Sequence, residues 1–191
     1  MKRHQQAATA ESAEALSPLI LHPFERDHFP LLIGWIRSEK ELVQWGGTDL
    51  HFPLDEAQLT DMLAETQGSP PARLAYMAEQ AGEWVAHGQL AFDWHNGVCR
   101  VSRILVAPMA RRRHITRSLL PLLVDQAFSY RQIERLELNV FSFNIPALRA
   151  YARAGFVQEG TRRSAVKIGN ERWDVVTMGL LRRERPSSAN R

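Results

Sequence analysis

The sequence predicts a single α/β domain built on a mixed sheet, and three observations carry that expectation. First, Val101 to Phe156 reads as strand, basic loop, helix, strand and short helix, a βαβ unit whose crossover makes its two strands parallel neighbours. Second, two strand-like runs precede it, Leu74 to Glu79 and Trp84 to Trp94, joined at Ala81-Gly82 and leaving through Asn96-Gly97, which is hairpin chemistry. Third, Phe156 to Lys167 and Arg172 to Leu181 flank Gly169-Asn170 as a closing hairpin. At 191 residues the chain is long enough for one sizeable core, and its 45% hydrophobic and 24% charged residues are ordinary for a globular protein.

The elements follow in order. Residues 1–16 are polar and alanine-rich with little to bury, so a frayed arm is expected there, with the domain spanning 17–182 and a polar tail over 183–191. Leu19-Ile20-Leu21 opens the first strand. Glu25 to Arg37 carries Phe29, Leu32, Ile33 and Ile36 at helical spacing, with Pro30 confined to a first turn. Ser38 caps a second helix, Glu41 completes a capping box, and Gly46-Gly47 ends it. Leu59, Met62 and Leu63 mark a third helix in Asp55 to Glu65, followed by a loop at Gly68-Ser69-Pro70-Pro71. In the βαβ unit, Val101 to Pro108 is an apolar strand. The loop Met109 to His114 leads into a helix from Ile115 to about Phe128, and Leu136 to Val140 is the parallel strand. No internal repeat is visible.

The functional signal sits at that loop. Arg111, Arg112 and Arg113 lie at the positive end of a helix, where free backbone N–H groups and the dipole favour a phosphate. Guanidinium groups add bidentate donors. A phosphorylated cofactor is the natural expectation.

The same residues carry a family resemblance. Val106-Ala107-Pro108, the basic loop and Ile115 to Leu120 resemble the acetyl-CoA-binding motif of GCN5-related N-acetyltransferases. Asn144-Ile145-Pro146-Ala147-Leu148-Arg149-Ala150-Tyr151-Ala152-Arg153-Ala154-Gly155-Phe156 resembles that family's N-x-x-A-x-x-x-Y-x-x-x-G-F signature. The loop departs from the family pattern at its two small positions, here His114 and Thr116. Within the family, Leu21 to Phe24, Trp35, Trp45-Gly46-Gly47 and Met178 to Leu181 look most like the Rim-type ribosomal-protein N-terminal branch. The resemblance implies the family's fold over roughly Leu19 to Leu181, with central parallel strands splaying around the pantetheine arm. It implies acetyl-CoA as co-substrate, no metal, and direct transfer of the acetyl group to a primary amine on a small molecule or a protein N-terminus. It places cofactor contacts at Ile104, Leu105 and Val106, at Arg111 through Thr116 (Arg111, Arg112, Arg113, His114, Ile115, Thr116), and at Asn144. Tyr151 is the implied acid for the leaving thiolate.

The base is not legible. Where many relatives carry a central-strand glutamate this chain has Ser102, whose hydroxyl is no base at neutral pH; Asp93, His95 and Glu137 lie on neighbouring expected strands. Trp35, Trp45, Phe52 and Trp84 could equally line an acceptor pocket or fill the core. A non-catalytic acyl-CoA-binding or protein-interaction module on the same fold is the alternative, motivated by His114, Thr116 and the missing carboxylate.

Other classes are disfavoured. A net charge of +3 concentrates in the loop and the ends of the chain, without the broad basic face and stacking aromatics of a nucleic-acid binder. The lone Cys99 and scattered histidines give neither an intrachain disulfide nor metal-ligand spacing. No apolar run reaches about 18 residues and no leader-like apolar core opens the chain, so a cytoplasmic protein without a membrane partner is expected. A homodimer stays open.

Overall fold

The computed structural model describes residues 17–185, so the expected arm and most of the tail lie outside the described residues. Seven strands form one sheet in the order β1-β2-β3-β4-β5-β7-β6, where β1 is Ile20–Pro23, β2 Arg73–Gln80, β3 Glu83–Asp93, β4 Val98–Val106, β5 Arg135–Phe141, β6 Val157–Ile168 and β7 Glu171–Leu181. Every neighbouring pair is antiparallel except β4 and β5.

The helices divide between the two faces. On one lie α1 (Phe29–Trp35), α2 (Glu39–Gly46) and α3 (Glu56–Ala64). Their apolar stripes bury Phe29, Leu32, Leu42, Trp45, Leu59 and Met62 against Ala75 and Met77 of β2. The expected helix over 25–37 is divided, with a 3-10 turn at Arg26–His28 preceding α1. The physical reason is Pro30, which has no N–H to donate four residues back and so cannot carry an α-helical ladder through that turn. At α2, Ser38 Oγ accepts the Glu41 N–H at 3.3 Å, but Glu41 Oε2 accepts the Arg37 N–H at 2.8 Å, one residue beyond the usual capping-box partner. Asp55 caps α3 by accepting the Gln58 N–H at 2.9 Å.

On the other face, α4 (Ile115–Phe128) and α5 (Ile145–Arg153) cover the centre of the sheet. Leu119, Leu123, Val124, Ala127 and Phe128 of α4 pack on Ala86, Leu90, Val101, Leu136 and Leu138. Alternate residues of β5 supply this core, Leu136, Leu138 and Val140, while Glu137, Asn139 and Phe141 take the opposite face. The chain beyond β7 joins the fold: Arg182 donates to the carbonyls of Ile133, Phe128 and Tyr130 at 2.8, 3.0 and 2.7 Å.

Two features of the central strands position the site. The parallel pairing of β4 with β5 covers only Val98–Arg135, Cys99–Leu136 and Arg100–Glu137, after which the strands part. Along the other edge of β4, the register jumps from Gln89–Ser102 to His87–Leu105, so β4 has one residue more than β3 there. This is a β-bulge, which bends a strand and sharpens its twist. Arg103 occupies it with φ 50°, and Gly88 faces it from β3. A Cβ at Gly88 would lie 2.8 Å from Leu123 Cδ1, so only glycine lets α4 sit this close.

A candidate active site between the parting strands

Where β4 and β5 separate, a cleft of about 420 Å³ opens. Its walls include Val101 through Val106 from β4, Asn139 to Phe141 from β5, Asn144 and Tyr151 from the α5 segment, and Glu41 and Trp45 from α2. Backbone N–H groups alternate between the two edges of an extended strand. Ala107 donates to Val85 on the β3 side at 2.9 Å, which directs the Val106 N–H toward the gap left by β5. The indole N–H of Trp45 donates to the Arg103 carbonyl at 2.7 Å and ties α2 to the bulge.

The basic loop closes one end. After a 3-10 turn at Pro108–Ala110, Arg112 and His114 adopt left-handed conformations, with φ 70° and 57°. His114 is the N-cap of α4, its carbonyl accepting the Arg117 N–H at 2.9 Å. The first-turn N–H groups of a helix have no partner inside it, so they face outward for an anion. Thr116 lines the cleft, while the Ile115 side chain is core and offers only its backbone.

The three arginines point different ways. Arg111 lines the cleft and lies 3.6 Å from Glu41 Oε1. Arg113 turns to Glu83 at the start of β3, Nη1 to Oε2 3.1 Å, while its Nη2 is buried without a partner among the described residues. Arg112 and His114 are absent from the cleft walls and contribute backbone shape. Free helix N–H groups, left-handed loop residues and the Arg111 guanidinium on the cleft wall fit a pyrophosphate.

Asn144 caps α5, Oδ1 accepting the Ala147 N–H at 3.3 Å, with its side chain on the cleft wall. Tyr151 lines the same cleft, half-buried, and packs edge-on against Phe156 at 6.2 Å. Burial pushes its phenol up to about 12. Ile104, Leu105 and Val106 all reach the cleft.

The base candidates read from sequence do not meet there. Asp93 sits at the far end of β4's ladder, opposite Val98, where Asn96 holds its carboxyl below the usual range. His95 is exposed beside it, and Glu137 is held by Arg100 at 2.6 Å. The reason is register: the bulge and the parting strands lie at the other end of the sheet. Ser102 faces the cleft but accepts from Arg73 Nη1 at 3.4 Å. Of the four aromatic candidates, Trp45 alone is on these walls; Phe52 is exposed, and Trp84 packs on His22 and His28. Glu41, the one carboxylate on the cleft wall, escaped sequence reading because its spacing from Ser38 also marks a helix cap. Among the described residues no group of three or more His, Cys, Asp or Glu side chains could hold a metal, and no helix is long and apolar enough to cross a membrane.

Known structures share this architecture. Spermidine N-acetyltransferase from Vibrio cholerae in complex with CoA and spermine superposes with a TM-score of 0.75 at 19% identity, covering 87% of this chain and 96% of that one. A dodecameric form of the Vibrio cholerae enzyme gives 0.67 at 21% identity, over 85% and 93% of the two chains. A structure described as a probable acetyltransferase gives 0.73 at 18%, over 89% and 96%. At these identities the likeness is one of fold. The model of the acetyltransferase (GNAT) family matches residues 31–156, from α1 through the whole βαβ unit. The chain is therefore a member of the GNAT acetyltransferase family, an N-acetyltransferase with acetyl-CoA as its co-substrate.

Proposed function

We propose that this protein is a cytoplasmic enzyme that acetylates a primary amine by direct attack on acetyl-CoA held in the gap between β4 and β5. The observation that carries this reading is the gap itself. Parallel pairing stops after Arg100, and the freed edge of β4 faces Tyr151 across a cleft that ends at the helix-capping loop. In that reading the loop and the first turn of α4 hold the pyrophosphate, and the pantetheine arm lies along Ile104 to Val106. Asn144 and Thr116 border the same path.

The chemistry needs few groups. The amine nitrogen attacks the thioester carbonyl, forming C–N as the C–S bond breaks, and the Val106 N–H is directed to hold the developing oxyanion. Tyr151 delivers its proton to the departing sulfur. A phenol that burial keeps protonated is in place when the C–S bond breaks, and the charge developing on sulfur draws its proton across. The amine's proton leaves to water, with Glu41 as the nearest-placed carboxylate on the wall.

The features behind the ribosomal-protein branch include core packing: Phe24, Met178 and Leu180 are buried. They support the fold and carry no choice of acceptor. Incubating the protein with acetyl-CoA and a panel of primary amines, and following free thiol, tests the reading. Amine-dependent thiol release supports it; thiol release without N-acetyl product contradicts it.

A further inference from the structure

A second cleft of about 370 Å³ continues from the first across the opposite face of the sheet, sharing Trp45, Ser102, Arg103 and Asn139 with it. An acceptor amine entering through this cleft would meet the first cleft at the shared wall. Its walls carry four arginines, Arg73, Arg100, Arg103 and Arg162, against one acid, Asp49.

Two of these cations converge. Arg73 Nη1 and Arg103 Nη1 each donate to the same oxygen, Gln89 Oε1, at 3.2 Å. Arg73 has a counter-charge, Glu65, at 2.7 Å, and Arg100 has Glu137. Arg103 and Arg162 have no carboxylate within 4.0 Å among the described residues. Gathering guanidinium groups around a neutral amide in a half-buried cleft is unfavourable unless an anion completes the arrangement. Burial first, then the neighbouring Arg73, push Arg103 down to about 10 against the opposing pull of Glu65 and Asp49, and it stays protonated at neutral pH. Its place is fixed by the bulge: φ 50° at Arg103, the Trp45 bond to its carbonyl, and its guanidinium 6.0 Å from the Trp45 ring centroid.

We propose, resting on the acetyltransferase reading above, that the acceptor is a primary amine that also carries a carboxylate, which Arg103 binds with Arg73 and Arg162 at the mouth of the gap. Planar carboxylate and planar guanidinium match as a two-point fork, which orients the amine as well as binding it. A polyamine, carrying only positive charge, is repelled by the same walls. The carboxylate can belong to a free amino acid or to an acidic residue beside a peptide's N-terminus.

Matched pairs of acceptors test this with the full chain and acetyl-CoA. β-Alanine is compared with β-alaninamide, amidated Ala-Asp with amidated Ala-Asn, and spermidine stands alone. The proposal expects one anionic member to exceed its neutral isostere by about tenfold to a hundredfold in kcat/KM, as hydrogen bonds to a charged group provide; the winning pair identifies the source. In Arg103→Gln that ratio falls to about 1, and a general loss of folding or activity would scale both members alike and leave the ratio unmoved. Arg162→Gln, on an exposed strand, lowers the ratio without touching the bulge. Preference of the wild-type protein for spermidine or for both neutral members overturns the proposal and leaves acetyl transfer standing. Acetyl-CoA binding without transfer to any of the five, together with no calorimetric binding of the anionic amines by the CoA-loaded protein, overturns both.

Discussion

Replacing Tyr151 by Phe removes one oxygen and keeps the ring that packs against Phe156. The structure sets the size of the effect. The phenol lies in an apolar wall of the cleft, and burial lifts it from its ordinary 10 to about 12. That shift of two units corresponds to about 2.7 kcal/mol against the phenolate, so the proton is in place throughout the working range. A positioned general acid contributes roughly 10²–10⁴-fold, so Y151F should lose about 10²–10³-fold in kcat, equivalent to about 3–4 kcal/mol of barrier. The hydroxyl has no hydrogen-bond partner among the described residues, so its removal should leave stability unchanged or raise it by less than about 1 kcal/mol. Steady-state thiol release gives kcat, calorimetry gives the acetyl-CoA Kd, and a thermal scan gives Tm. The expected pattern is a large fall in kcat with Kd and Tm nearly unmoved. A kcat within twofold of wild type would remove Tyr151 from the acid role, and a parallel loss of Kd would make it a binding residue instead.

Further predictions follow from the loop, the bulge and a buried histidine. His114 sits at φ 57° where glycine is unstrained, so His114→Gly with Thr116→Gly should tighten acetyl-CoA about tenfold by calorimetry, because smaller residues let backbone approach the pyrophosphate. Weaker binding would show that the two side chains themselves hold the cofactor. Gly88→Ala should cost about 1–3 kcal/mol in denaturant unfolding, since its Cβ meets Leu123 at 2.8 Å; pairing it with Leu123→Ala should recover part of that, and strict additivity would sink the packing account. His87 is fully buried with Nδ1 unpartnered among the described residues, and desolvation first, then Arg103 and His28, pushes it down to about 3. The unfolded histidine takes up a proton below 6.5 and the folded one does not, so this stability is complete above pH 6.5 and falls between about 6.5 and 3. At pH 5 the loss is about 2 kcal/mol, and His87→Gln should flatten the slope in pH-dependent denaturant titrations.

The sequence made the loop-helix junction legible because its signals are local. The basic run and the 3.6-residue periodicity set α4 at Ile115–Phe128, the span the structure has. Asn96-Gly97 and Gly169-Asn170 likewise mark real turns, with Gly97 and Gly169 at positive φ. What escaped sequence reading depends on distant partners. The bulge at Arg103 is a register shift against His87 to Gln89 on the neighbouring strand, which no local signal at Arg103 announces. The acceptor cleft gathers Arg73, Arg103 and Arg162 from three strands, and each alone reads as a solvated surface cation. Asp93 and His95 looked like base candidates because strand register, which puts them at the far end of β4, is not written in composition. The division of the first helix was half visible: Pro30 announced a first turn, and its missing N–H moved that turn from Glu25 to Phe29.

Everything proposed for this protein rests on acetyl-CoA lying in the gap between β4 and β5 with its pyrophosphate on the Arg111–Thr116 loop. Calorimetric titration of the purified protein with acetyl-CoA tests it most directly. One site per chain with micromolar affinity, equivalent to about −8 kcal/mol, is the expected result. No detectable heat up to millimolar acetyl-CoA would contradict it.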